Sequence, residues 1–264
     1  MTRRHYIDLP HGQIHMRVSH KQGAPWIVLL HQSPSSSVMF EALMPHLSDK
    51  FSILAPDNPG FGQSDPLLIT SIPGFAASIL ACMDVFQIEK AHVFGHHTGA
   101  AIGVALARAF PQRFGKLALC GPPALSAHER RKLVDMAPVE TLEADGSHFS
   151  RVWTRLRAKD TGTPAALSTR ELGLAFAASQ TTKAAYQAVA DYDFLNDLAA
   201  LETAPLMFAG ERDSLIDALP LARTTRPDAE VVILADAGGY VCDRDPERVA
   251  ALLIPFFEGG TYGP

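Results

Sequence analysis

The sequence predicts an α/β fold: a mostly parallel, eight-stranded sheet with helices on both faces and a helical cap. Three observations lead there. Continuous apolar runs such as Trp26-Ile27-Val28-Leu29-Leu30 recur along the chain, as strands buried on both faces of a parallel sheet require. Between them lie stretches with apolar residues at helical spacing, so strand and helix alternate. At one junction, Ala91-His92-Val93-Phe94 runs through Gly95-His96-His97-Thr98-Gly99 straight into Ala100-Ala101-Ile102, which reads as strand, tight turn, helix.

Taken in order, residues 13–19 alternate with Ile14, Met16 and Val18 on one face, and Pro10-His11-Gly12 before them makes an opening hairpin. Residues 26–30 form a buried strand that ends in His31-Gln32-Ser33-Pro34. A helix is expected over 38–48, a strand over 51–55, a loop over 57–66 from its Pro, Gly and Asn content, and a helix over 73–87. After the 91–110 junction, Lys116-Leu117-Ala118-Leu119-Cys120 reads as a strand. Residues 126–200 lack strand-like runs and read as several short helices. Strands resume at 205–210 and 231–234, with helices over 216–224 and from Pro246, where a proline suits the first turn. The expected division is a core of 1–125 and 201–264 carrying a helical cap insertion, 126–200.

Composition narrows the function. The 264 residues are 47% hydrophobic and 19% charged with a net charge of −5, which lacks the basic surplus that nucleic acid or an anionic membrane attracts. Three cysteines without paired spacing favour a reduced, cytoplasmic setting over a disulfide framework. The N-terminus shows no signal-peptide pattern, and no apolar run reaches membrane-span length. The expected partner is a small-molecule substrate, with a homodimer left open. Pro59-Gly60-Phe61-Gly62 lacks the strand-to-helix setting of a dinucleotide fingerprint, so no cofactor is expected. The histidines show no metal spacing, and the adjacent His96 and His97 are expected to point in different directions, so no metal is expected either.

Ordered in this way, Leu30-His31 with Ser33-Pro34, the loop Asp57-Asn58-Pro59-Gly60-Phe61-Gly62-Gln63-Ser64-Asp65, the Gly95–Gly99 turn and Gly210-Glu211-Arg212-Asp213 resemble the α/β-hydrolase superfamily. The resemblance covers nearly all of the chain outside 126–200. It points to the capped branch that holds epoxide hydrolases, dehalogenases and C–C bond hydrolases. It implies that the Gly95–Gly99 turn is a nucleophile elbow, at which this superfamily carries Ser, Asp or Cys. Here that residue is His97. The superfamily's catalytic histidine aligns with Gly239, and the usual His-Gly of the oxyanion segment reads His31-Gln32. Of the ordinary triad only the acid survives, as Asp213.

An imidazole at the elbow can serve as base or nucleophile near neutral pH without a partner to deprotonate it. The backbone N–H groups of Thr98 and Ser33 are expected to hold a developing oxyanion whatever the side chain at 97. Around them, His31 either anchors its loop or lines the pocket, and His96 points down or sideways into the sheet. Tyr240 either fills volume left by the missing histidine or packs, and Trp153, in a stretch with Arg151, Arg155 and Arg157, is the cap's candidate for substrate contact. The reading favours hydrolysis of a small, mainly apolar carbonyl compound such as an ester, lactone or β-dicarbonyl. Two alternatives stand beside it: a lyase or isomerase in which His97 moves a proton, and a ligand-binding protein without catalysis.

Overall fold

The computed structural model describes residues 1–135, 141–160 and 162–259. Strands β1 (Arg3–Leu9) and β2 (Gly12–Ser19) pair antiparallel as the opening hairpin, with Leu9 opposite Gly12. Then come β3 (Trp26–Leu30), α1 (Met44–Leu47), β4 (Ser52–Pro56), α2 (Ile72–Val85), β5 (Ala91–His96), α3 (Thr98–Ala109) and β6 (Phe114–Cys120). Five helices separate β6 from the next strand: α4 (Ala127–Asp135), α5 (Ser147–Lys159), α6 (Ala165–Ala177), α7 (Ser179–Asp191) and α8 (Phe194–Ala199). The chain closes with β7 (Leu206–Arg212), α9 (Leu219–Thr225), β8 (Glu230–Gly238), α10 (Val241–Arg244) and α11 (Pro246–Glu258).

The eight strands lie in the order β1-β2-β4-β3-β5-β6-β7-β8; β2 runs antiparallel to β1 and β4, and the remaining pairings are parallel. Period-two alternation splits the core. Val28 and Leu30 of β3 join a layer with Ile79 of α2 and Val104 of α3, while Ile27 and Leu29 face the other way onto Leu47, Leu253 and Phe257. Apolar burial on both faces is why the strands read as continuous hydrophobic runs.

Two expectations change. Residues 38–48 do not form one helix but a 3-10 turn, Ser37–Phe40, followed by α1. Pro45, near the start of α1, has no N–H to donate and its ring opposes a helical carbonyl four residues back, so a continuous helix breaks there. The last strand extends past 231–234 because β8 follows β7 out to an Arg212–Gly238 pairing.

This topology locates the site. The chain winds from β3 to β4, then crosses back over β3 to β5, which leaves a crevice outside the carboxyl ends of β3 and β5. The helices between β6 and β7 reach this end of the sheet: α4 packs on α7, α7 touches α2 and α3, and α5 packs on α6.

Candidate active site

The turn after β5 is tight because nothing larger than hydrogen fits at its flanks. A Cβ on Gly95 would lie 2.2 Å from the Gly99 carbonyl oxygen, and one on Gly99 would lie 2.0 Å from that of Leu30. The flanking glycines therefore allow close approach, and the strained conformation falls on the central residue. His97 has φ 49° and ψ −109°, a region costly for a residue with a Cβ. Its amide donates to the Cys120 carbonyl at 2.9 Å, while its own carbonyl accepts from Ala100 at 2.9 Å as α3 begins. The imidazole is thus held out at the sheet's carboxyl end with 15% of its side chain exposed.

Asp213, just past β7, meets that imidazole. His97 Nε2 lies 2.8 Å from Oδ1 and 3.0 Å from Oδ2, and the Leu215 amide donates to Oδ1 at 2.7 Å. Burial by itself pushes the Asp213 carboxyl up, but the charge and hydrogen bond of His97, with the nearby His96 adding to them, outweigh it and hold the group well below the usual carboxylate range. An ionised carboxylate only accepts, so Nε2 carries a hydrogen and Nδ1 is the ring nitrogen that does not face Asp213. The ring lies over Gly121, where a Cβ would come within 2.3 Å of Cδ2 and 2.5 Å of Nε2. The sequence left Asp213 without a partner once its histidine was missing. The structure instead gives it the elbow histidine.

His96 also differs from expectation. Expected to point in a different direction from His97, it converges with it on one carboxylate: its Nε2 is 3.9 Å from Asp213 Oδ2, and the two rings sit edge-to-face at 4.5 Å. It is fully buried, and burial brings its imidazole down to about 4, so it is neutral at pH 7. His31 is likewise fully buried. Its Nδ1 faces the Gln32 carbonyl at 2.8 Å and its Nε2 accepts from the Asn58 amide at 2.7 Å, which makes it a clamp between two loops.

The neighbouring loop turns on Asp57. Its carboxylate accepts from the amides of Ser37 at 2.7 Å and Gln63 at 3.0 Å and pairs with His15 at 2.8 Å. Burial opposes ionisation, but His15, His31 and the two loop contacts prevail and bring it down to about 2. Thr98 opens α3, so its N–H belongs to the first turn and has no carbonyl within the helix to bond. Ser33 is buried, with its carbonyl facing the Tyr186 hydroxyl at 3.4 Å.

Groups the sequence did not single out line the opposite side. Arg170 of α6 donates to Glu171 at 2.7 and 2.9 Å and to Asp243 of α10 at 2.6 and 2.9 Å, so one guanidinium joins the helical segment to the core. Glu171 is buried, and Ser35 donates to it at 3.4 Å; burial raises its carboxyl, against the pull of Arg170. Burial also raises the Tyr240 phenol, and the charge of Glu171 adds to the rise. Tyr240 is buried just before α10, and its carbonyl accepts from the Asp243 amide at 3.1 Å. Outside the Arg170–Asp243 pair lies a groove of about 570 Å³ lined by Pro164, Leu167 and Arg244, and His97 is not part of its lining. Trp153 is half-buried on α5, and among the described residues no hydrogen bond or ring contact ties it to His97 or Asp213. Nothing in the spacing could have grouped the adjacent pair Arg170 and Glu171 of α6 with Gly121 and Asp243, because these come from three separate places in the chain: α6, the end of β6 and α10.

Comparison with known proteins agrees with this architecture. The sequence profile of the alpha/beta hydrolase fold family matches residues 25–246. The chain is 27% identical over 263 residues to a 2-(acetamidomethylene)succinate hydrolase of Mesorhizobium japonicum, covering 94% of this chain and 93% of the relative. Over 111 residues it is 32% identical to a 2-hydroxy-6-oxo-6-phenylhexa-2,4-dienoate hydrolase of Burkholderia cepacia, 40% of this chain and 39% of that one. The crystal structure of the enol-lactonase from Burkholderia xenovorans LB400 superposes with a TM-score of 0.79 at 20% identity, covering 96% of this chain and 99% of that one, and so shares the fold. No helix among the described residues is long and apolar enough to cross a membrane. The chain belongs to the alpha/beta hydrolase fold family and is an enzyme of the hydrolase class, with His97 at the tight turn after β5.

Proposed function

We propose that this enzyme hydrolyses a small, mainly apolar carbonyl compound, an ester, lactone or β-dicarbonyl, with His97 as general base. The observation that carries the reading is the 2.8 Å contact of His97 Nε2 with Asp213. It fixes the ring tautomer and leaves Nδ1 basic at the place where a nucleophile would stand. Nδ1 takes a proton from water as the water oxygen attacks the carbonyl carbon. The carbonyl oxygen becomes the oxyanion of a tetrahedral adduct, held by the N–H groups of Thr98 and Ser33. Collapse of the adduct breaks the bond to the leaving group, which takes the proton back from Nδ1. Asp213 stabilises the imidazolium between these two transfers and stays ionised throughout. No covalent acyl-enzyme is needed.

The helices between β6 and β7 act as a cap over residue 97, with Tyr186, Glu171 and Tyr240 as polar groups on an otherwise apolar wall. The named relatives act, by their names, on small carbonyl compounds, which supports the same class here.

The test is hydrolysis of a panel of short-chain nitrophenyl esters by the wild type and by a folded His97→Ala variant, followed from the first turnover. General-base catalysis is expected to give linear product release without an initial burst, and the variant is expected to lose the activity. Equal rates in the two proteins would remove His97 from the mechanism. Inactivity of both would send the search to proton-transfer and C–C cleavage substrates.

A further inference from the structure

Beneath the elbow, the ends of β5 and β6 and the residue following β7 bring three metal-ligating side chains together. One donor atom each from His96, Cys120 and Asp213 lies within 4.8 Å of the others, and all three residues are buried. A second observation concerns His96 alone. Its Nε2 is completely buried and has no hydrogen-bond partner, although it faces Asp213 Oδ2 at 3.9 Å. A neutral imidazole places a hydrogen on one nitrogen and a lone pair on the other. With the hydrogen on Nδ1, 4.0 Å from Cys242 Sγ, a bare lone pair would face a carboxylate, and that arrangement calls for a cation between them. A separation of 3.9 Å is too long for a hydrogen bond. It is close to the roughly 3.4 Å between two ligands on one tetrahedral zinc ion.

We propose that this pocket binds a thiophilic divalent cation of the Zn2+ type through His96 Nε2, Cys120 Sγ and the Asp213 carboxylate. The donor set decides the class of ion. Imidazole, thiolate and carboxylate together suit Zn2+, whereas Mg2+ and Ca2+ take oxygen ligands. Binding releases the Cys120 proton to solvent, so that one thiolate and one carboxylate balance the two positive charges and the filled pocket is neutral. The three donors must draw in by up to about an ångström to reach zinc–ligand distances of about 2.0–2.3 Å. Entry is from the side of His97, the partly exposed member of the group, whose Nε2 already touches Asp213. The filled site would therefore withdraw Asp213 from His97, so zinc is an off-switch rather than a cofactor. Spacing along the sequence could not show such a site, because its ligands come from separate strand ends.

The test reads metal binding itself, so it stands whether or not the hydrolytic reading above holds. Wild-type protein stripped with a chelator is titrated with Co2+ and then with Zn2+ against a chromogenic zinc indicator. One Co2+ per chain with a thiolate-to-cobalt charge-transfer band, displaced by Zn2+, is expected. The Cys120→Ala variant should lose the band and bind Zn2+ at least about tenfold more weakly, and Cys242→Ala should keep both. Should Cys120→Ala fail to fold by circular dichroism, His96→Gln takes its place and is expected to weaken Zn2+ binding by a similar factor. No band and no stoichiometric Zn2+ in the wild type would overturn the proposal. So would a band that persists in Cys120→Ala, or unchanged Zn2+ binding in His96→Gln.

Discussion

His97 Nε2 and Asp213 Oδ1 are 2.8 Å apart, and this contact merges two positions that the fold family keeps separate. In the proposed mechanism the residue on the elbow is the base, and the acid that would orient a distant histidine orients the elbow residue itself. Gly239, where that distant histidine would stand, leaves only ordinary contact at its Cβ position, 3.6 Å from Asp213 Oδ2.

Asp213→Asn is expected to leave the fold intact and to lower kcat about 10³- to 10⁴-fold, because an amide can present its NH2 to Nε2 and fix the wrong tautomer. KM for a short ester should change little. Steady-state kinetics beside a thermal melt check this, and a kcat within a few-fold of wild type would show that Asp213 does not orient the base.

Gly121→Ala tests whether the ring's position matters apart from its chemistry. The new methyl would meet Cδ2 and Nε2 of His97 inside 3 Å on a backbone with φ +54°, so the imidazole must move. An ångström of displacement is worth about 10²-fold in kcat, and the strained backbone costs a further 1–3 kcal/mol or so of stability. Kinetics and denaturant unfolding of the same preparation separate the two effects.

The resemblance places a histidine at 239 and a serine at 97 in the ordinary arrangement, and the space at Gly239 admits a Cβ. The double variant His97→Ser with Gly239→His is expected to react covalently with a fluorophosphonate ester probe, as a serine activated by a histidine does. His97→Ser alone should not label, since its serine has no base. Intact-protein mass spectrometry reads the adduct, and labelling of the single variant would mean that another group activates residue 97.

Asp57 gives the protein an acid-sensitive joint. Its carboxyl is brought from 3.8 to about 2 in the folded state, a depressed value. Its contribution, about 2 kcal/mol, is therefore complete above pH 4 and is lost as pH falls from about 4 through 2. Asp57→Asn should lower stability at pH 7 and flatten that part of the stability profile. Urea unfolding at several pH values between 2 and 7 measures it, and parallel profiles for the two proteins would assign the acid sensitivity elsewhere.

Much of this was readable from the chain. Apolar runs such as Trp26–Leu30 have to be strands because both sheet faces are covered, and the Gly95–Gly99 spacing has to be a tight turn because a Cβ at either flank meets backbone. Over 38–48 two signals compete: apolar spacing favours one helix, but the missing N–H of Pro45 divides the segment into two short pieces. His31 could be named but not assigned. Whether it lines the pocket or clamps a loop depends on Asn58, which reaches it only after β4 is laid beside β3.

The sequence by itself determined the scaffold and the position of the unusual residue, since periodicity, turn chemistry and close-approach glycines act between residues near one another in the chain. Only the tertiary structure decided which groups that residue meets. His97, Gly121 and Asp213 stand at the ends of three different strands, as do the donors of the proposed zinc pocket. A carboxylate chooses its partner by distance and burial, and both are set by strand order, which no local pattern encodes.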